Sequence, residues 1–130
     1  MRQLFLMMIG MASLFSQTLS WRGNYDKAHQ EALHTHKPLL VLVVKAGDIN
    51  TERVLRDVLM GQPYIEILNR QVVAVMVTYE GRSSYPIEMY YTTEFPALFL
   101  VNEQEQFLHK PIYGHAITKE SIIQILENSL

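Results

Sequence analysis

One stretch constrains this chain more than any other: Thr93-Glu94-Phe95-Pro96-Ala97-Leu98-Phe99-Leu100-Val101, a polar lead-in, one proline, then an unbroken apolar run. A strand with one wet face alternates polar and apolar residues, so the run after Pro96 predicts a strand buried on both faces. Proline has no amide hydrogen to give to a sheet ladder, which places Pro96 at the strand's first residue rather than inside it.

The rest of the chain supplies partners for that strand. Tyr25, Ala28, Ala32 and Leu33 have helical spacing and predict a helix over 21–36, ended by Pro38 and the restricted residue before it. Leu39 to Val44 is continuous and rich in β-branched residues, a second buried strand, and Lys45 to Asn50 is a loop with Gly47 and Asn50 as turn formers. From Thr51 a helical pattern returns, with Val54, Leu55, Val58 and Leu59 inward and Glu52, Arg53, Arg56 and Asp57 wet. Thr51 or Asn50 serves as its cap. Gly61 and Pro63 break this helix, a second short one runs through Tyr64, Ile65, Ile67 and Leu68, and Val72 to Val77 is the next buried strand. Two buried strands joined through helices make a right-handed, parallel βαβ unit.

After a tyrosine-rich connector over 79–92, with one helical turn at 87–91, the proline strand pairs with a strand over 107–112 through the polar turn 102–106. Gly114 ends that hairpin, and Thr118 caps a last helix that buries Ile122, Ile123, Ile125, Leu126 and Leu130. The expectation is a single α/β domain over 21–130, with a central mixed sheet of about four strands flanked by helices.

The first twenty residues are different in kind. Arg2 is followed by an almost wholly apolar stretch from Leu4 to Phe15 and a small-residue exit at Thr18-Leu19-Ser20, the pattern of a secretory signal peptide over 1–20. Alternatives are a buried N-terminal helix or an uncleaved anchor, the chain's one route to a membrane. Export would make the protein periplasmic or secreted. With no cysteine, neither lipid attachment nor disulfides are available, so stability rests on burial. A net charge of −2 without any Lys/Arg cluster offers nucleic acid no footprint.

The order of elements, with a proline at the start of an antiparallel hairpin and a closing helix, resembles the thioredoxin fold. Trp21…Tyr25-Asp26-Lys27-Ala28…Ala32…Lys37-Pro38-Leu39-Leu40-Val41 is similar to the opening of exported thioredoxin-like proteins. Phe95-Pro96-Ala97-Leu98-Phe99-Leu100 resembles the family's cis-proline strand, and Pro111-Ile112-Tyr113-Gly114 its C-terminal end. The resemblance implies that Phe95-Pro96 is cis and that Asp48-Ile49-Asn50-Thr51 stands where the family carries Cys-x-x-Cys. Gly47 then replaces the family's tryptophan, and the buried acid of thioredoxin itself falls near Leu42. Thiol–disulfide exchange needs a thiolate, so this chain cannot perform it.

What the resemblance leaves is a recognition surface. In the family the residue before the proline offers its backbone to an extended substrate, which implies a protein or peptide partner in the cell envelope. The candidate binding residues are Asp48, Ile49, Asn50, Thr51, Phe95, Pro96, Tyr113 and His115; no catalytic residue, metal ligand or cofactor is assigned. The plainer reading is that Pro96 serves the fold alone. Other readings stay open. His29, His34, His36, His109 and His115 suit zinc or copper by residue type. The Asp48–Thr51 loop at a helix start could do non-redox chemistry, although capping explains both residues. Tyr85, Tyr90 and Tyr91 beside Pro86 form an aromatic patch, either an interface anchor or packing for the connector. The chain could also be a structural subunit of an envelope complex.

Overall fold

The computed structural model describes residues 21–59, 64–81 and 85–129; the signal-peptide expectation for 1–20 lies outside them. The central strand is Leu39–Val44 (β2), completely buried, as its composition requires. On one side it pairs in parallel with Val73–Thr78 (β3), which starts one residue later than expected. On the other it pairs antiparallel with Ala97–Val101 (β4), again buried throughout. Two short strands close the edges, Trp21–Arg22 (β1) parallel to β3 and Ile112–Tyr113 (β5) antiparallel to β4. The result is a five-stranded mixed sheet in the order β1-β3-β2-β4-β5.

The short edge strand β1 adds one to the mixed sheet of about four strands that was expected. Trp21 and Arg22 are not the first turn of a helix. Gly23 and Asn24 follow them, and Asn24 caps the next element by accepting the Lys27 amide at 3.0 Å. The helix therefore runs Tyr25–Thr35 (α1), freeing Trp21 and Arg22 to pair with β3. Arg22 is tied back to α1 by a two-pronged contact with Glu31, at 3.0 and 2.6 Å. At the far end of α1, His36 takes the left-handed conformation at φ 56°, and the Lys37 amide bonds the Ala32 carbonyl at 3.1 Å.

Strand periodicity divides the core. Leu40, Leu42 and Val44 face one layer with Val54, Val58, Leu68, Ile122, Ile125 and Leu126. Leu39, Val41 and Val43 face the other with Tyr25, Ala28, Ala32, Tyr90 and Phe99. The first layer is covered by Ile49–Arg53 (α2), Tyr64–Gln71 (α3) and Lys119–Ser129 (α4), the second by α1 and the tyrosine connector.

Three local expectations are corrected. The helix after β2 begins at Ile49 under an Asp48 cap, not at Thr51, and from Val54 to Val58 it widens into a π-helical turn closed by Leu59 N–H to Val54 C=O at 3.1 Å. The wider turn buries Val54, Val58 and Leu59 and leaves Leu55 only partly covered. The 107–112 strand is mostly absent: one bridge joins Phe107 to Val101, and regular pairing resumes only at Ile112, after Pro111, which has no amide to give. In α4, Thr118 is the cap, as the sequence suggests, and it and Ser121 accept each other's amides at 3.0 and 2.9 Å, but Ile123 is 41 % exposed rather than buried. Leu130 lies outside the described residues. Among the described residues no helix is long and apolar enough to cross a membrane.

Candidate functional site

The site is built where three chain segments meet at one end of β4. The first is the entry to α2. Gly47 turns the chain at φ +77°, a conformation glycine adopts freely. Asp48 then accepts the Thr51 amide at 2.9 Å and its hydroxyl at 3.3 Å. Asp48 and Thr51 are thereby occupied: Asp48 is a helix cap, and Thr51 is buried with 6 % exposure, while Asn50 beside them is half-buried. Ile49, between them in sequence, is 80 % exposed. An aliphatic side chain left in water at the first residue of a helix gains nothing for the fold there.

The second segment is the proline loop. The Phe95–Pro96 peptide bond is cis. Pro96 is buried, and the half-buried Phe95 ring lies 5.1 Å from the Tyr79 ring and 5.6 Å from Lys45 Nζ. Ahead of them, the Thr92 hydroxyl accepts the Glu94 amide at 3.1 Å and donates to the Glu94 carbonyl at 2.7 Å, which fixes the backbone of 92–94. Among the described residues the Phe95 amide and carbonyl make no hydrogen bond, although β4 begins two residues later.

The third segment is the end of β5. Gly114, at φ +49°, donates its amide to the Pro96 carbonyl at 2.9 Å. Its own carbonyl accepts from Arg53 Nη2 at 3.2 Å. Two bonds thus join α2, the β5 end and the proline loop in series. Asp48–Thr51, Phe95–Pro96 and Tyr113–His115 come together through Gly114, which lies inside the last stretch, and Arg53, which was not among the candidate residues. Arg53 has the composition of a wet-face residue beside Glu52 and Arg56, and nothing in its spacing sets it apart; in the structure it is half-buried and its Nε has no partner. His115 is exposed on the turn that follows.

Beside this junction lie two clefts that share Glu94 and Tyr113 as walls. One, of 330 Å³, is lined by Tyr91, Thr92, Thr93, Glu94 and Tyr113. The other, of 570 Å³, runs along β5 past His109, Pro111 and Ile112 to α4. Glu94 is a further residue the sequence pattern did not mark as a site, whereas Tyr91 belongs to the aromatic patch it did mark.

The histidines are dispersed. His29 Nε2 donates to the Glu103 carbonyl at 2.8 Å, and His36 Nδ1 lies 3.3 Å from the Glu103 carboxylate. Among the described residues no group of three or more His, Asp or Glu is placed to hold a metal ion. The aromatic patch divides: Tyr90 is core, Tyr85 is half-buried and Tyr91 is 64 % exposed. Tyr25 gives its one hydroxyl proton to Glu105 at 2.7 Å, so the Tyr90 hydroxyl, 2.6 Å away, donates to Tyr25. Burial pushes Tyr90 up to about 12 and Tyr25 further still. This network fastens the connector and α1 to the 102–106 turn, on the layer opposite α2.

No family model matches the chain, and no curated protein does. Solved structures do. A DsbH oxidoreductase superposes with a TM-score of 0.69 at 14% identity, over 85% of this chain and 84% of its own. A candidate disulphide isomerase from Bacteroides thetaiotaomicron gives 0.67 at 16% identity, over 87% and 94%. Trxlp from Edwardsiella tarda EIB202 gives 0.58 at 19% identity, over 82% and 98%. By fold the chain is thioredoxin-like, and it is a cysteine-less form of that fold.

Proposed function

We propose that the chain is an exported binding protein that holds an extended segment of a protein partner against its proline loop. The observation that carries this reading is the Phe95 backbone, whose amide and carbonyl find no partner within the described residues, just ahead of a strand that pairs along its whole length with β2. Unsatisfied backbone groups in line with a sheet are what an added strand pairs with, and side-chain pockets beside them give selectivity. Ile49, Tyr91 and Tyr113 supply exposed apolar surface from the flanking segments. Without a cysteine the chain has no thiolate, so capture does not proceed to disulfide exchange. Export rests on the apolar stretch from Leu4 to Phe15.

The test is partner capture by the full chain and its Phe95→Asp variant from envelope extracts of the source cell. A charged side chain there places a carboxylate where the captured segment must approach. Loss of the captured protein, with unchanged circular dichroism, is the expected result; undiminished capture contradicts the reading.

A further inference from the structure

The 330 Å³ cleft beside the proline loop has a composition that the fold does not call for. Its walls include Tyr91 and Tyr113, both exposed, with Thr92, Thr93 and one charged group, Glu94. The volume is at the low end for small-ligand sites, suited to a single side chain. Glu94 makes no ion pair among the described residues. Arg53, the cation of the junction, gives Nη2 to the Gly114 carbonyl instead, although Glu94 Oε2 lies 4.0 Å from where a Gly114 Cβ would stand. The Thr92 hydroxyl holds the Glu94 backbone on both sides, so the carboxylate is presented from a fixed turn.

From this we infer that the cleft is a subsite for a cationic side chain, arginine or lysine, carried by the segment that pairs with Phe95. The inference rests on the binding reading above and specifies it. An apolar occupant would strip water from the Glu94 carboxylate without replacing it, which is unfavourable; a guanidinium or ammonium replaces it with a charge-assisted hydrogen bond. Two tyrosine faces add cation–π attraction, stronger for arginine, whose planar group stacks. Glu94 also borders the second cleft, but that one has a single tyrosine and is walled in part by Pro111, Ile112, Ala116 and Ile125, making it the poorer seat for a cation. The immediate sequence neighbour of Phe95 therefore reads charge while Phe95 itself offers backbone.

The test titrates the isotope-labelled full chain with three capped pentapeptides, Val-Ala-Xaa-Ala-Val with Xaa as Arg, Gln or Glu, and follows backbone amide resonances. The Arg peptide should shift Tyr91 to Phe95 and Tyr113 and bind roughly ten-fold tighter than the Gln peptide, with the Glu peptide weakest. Glu94→Gln should equalise Arg and Gln without abolishing either, and Glu94→Lys should invert the order to favour Glu. If all three peptides shift Phe95 equally, the groove stands and the cationic subsite is overturned. If none shifts Phe95, both readings fall.

Discussion

Arg53 and Gly114 are 61 residues apart in sequence, yet Arg53 Nη2 donates to the Gly114 carbonyl at 3.2 Å, and the Gly114 amide passes the connection on to the Pro96 carbonyl at 2.9 Å. The helix that follows β2 is thereby fastened to the proline loop without a side chain of the loop taking part. Arg53→Met keeps the aliphatic stem and removes the donor, and it also removes the buried, unpartnered Nε. The two effects oppose each other, so the expected loss is small, about 1 kcal/mol in urea unfolding. The local effect should be clearer: amide exchange at Gly114 should speed up while exchange within β2 stays unchanged.

Gly114 itself is held at φ +49°, where a side chain is strained, although a Cβ would come no closer than 3.9 Å to the Phe95 carbonyl. Gly114→Ala should therefore cost about 1–2 kcal/mol through backbone strain alone. The denaturant midpoint should fall with no change in the slope of the transition.

Burial raises the folded-state value for Tyr90 to about 12 from 10.0, with the neighbouring Glu105 charge adding to the rise and the Tyr25 hydrogen bond opposing it. A hydroxyl that holds its proton more tightly when folded contributes stability that is fully present below pH 10 and is lost as pH rises toward 12. Stability should thus decline with pH across that window. In Tyr90→Phe the decline should be shallower, as read from denaturant midpoints across that pH range.

The last helix offers a matched pair. Ile122→Ala should cost about 2–5 kcal/mol, because Ile122 is buried among Leu40, Leu42 and Leu98 in the layer beneath α4. Ile123→Ser, on the exposed side, should stay within about 0.5 kcal/mol of the parent. Thermal unfolding of both variants checks the assignment.

The sequence carried the sheet more fully than the site. Strands such as β2 and β4 are legible because double burial leaves an unbroken apolar run, and the α4 cap is legible because Thr118 stands just ahead of an apolar stripe. A two-residue strand leaves no periodicity, so Trp21–Arg22 merged with the helix behind it, although Gly23-Asn24 marks the break. The π-helical turn at 54–58 is invisible because its residues have ordinary helical composition. At the site, Asp48-Ile49-Asn50-Thr51 and Phe95-Pro96 are each contiguous in sequence, so the chain alone can mark them as candidates. Arg53 and Glu94 owe their places at the site to contacts between distant segments, and single-residue patterns hold no record of those.

The central claim is that partners approach through the proline loop and its flanks, and a photocrosslinking scan tests it most directly. A photoreactive residue placed singly at Ile49, Tyr113, Ile123 and Leu33 samples exposed apolar positions on different sides of the molecule. The account predicts that Ile49 and Tyr113 trap the same partner in the native cell and that Ile123 and Leu33 do not. Trapping through Ile123 or Leu33 with none at Ile49 and Tyr113 would contradict it.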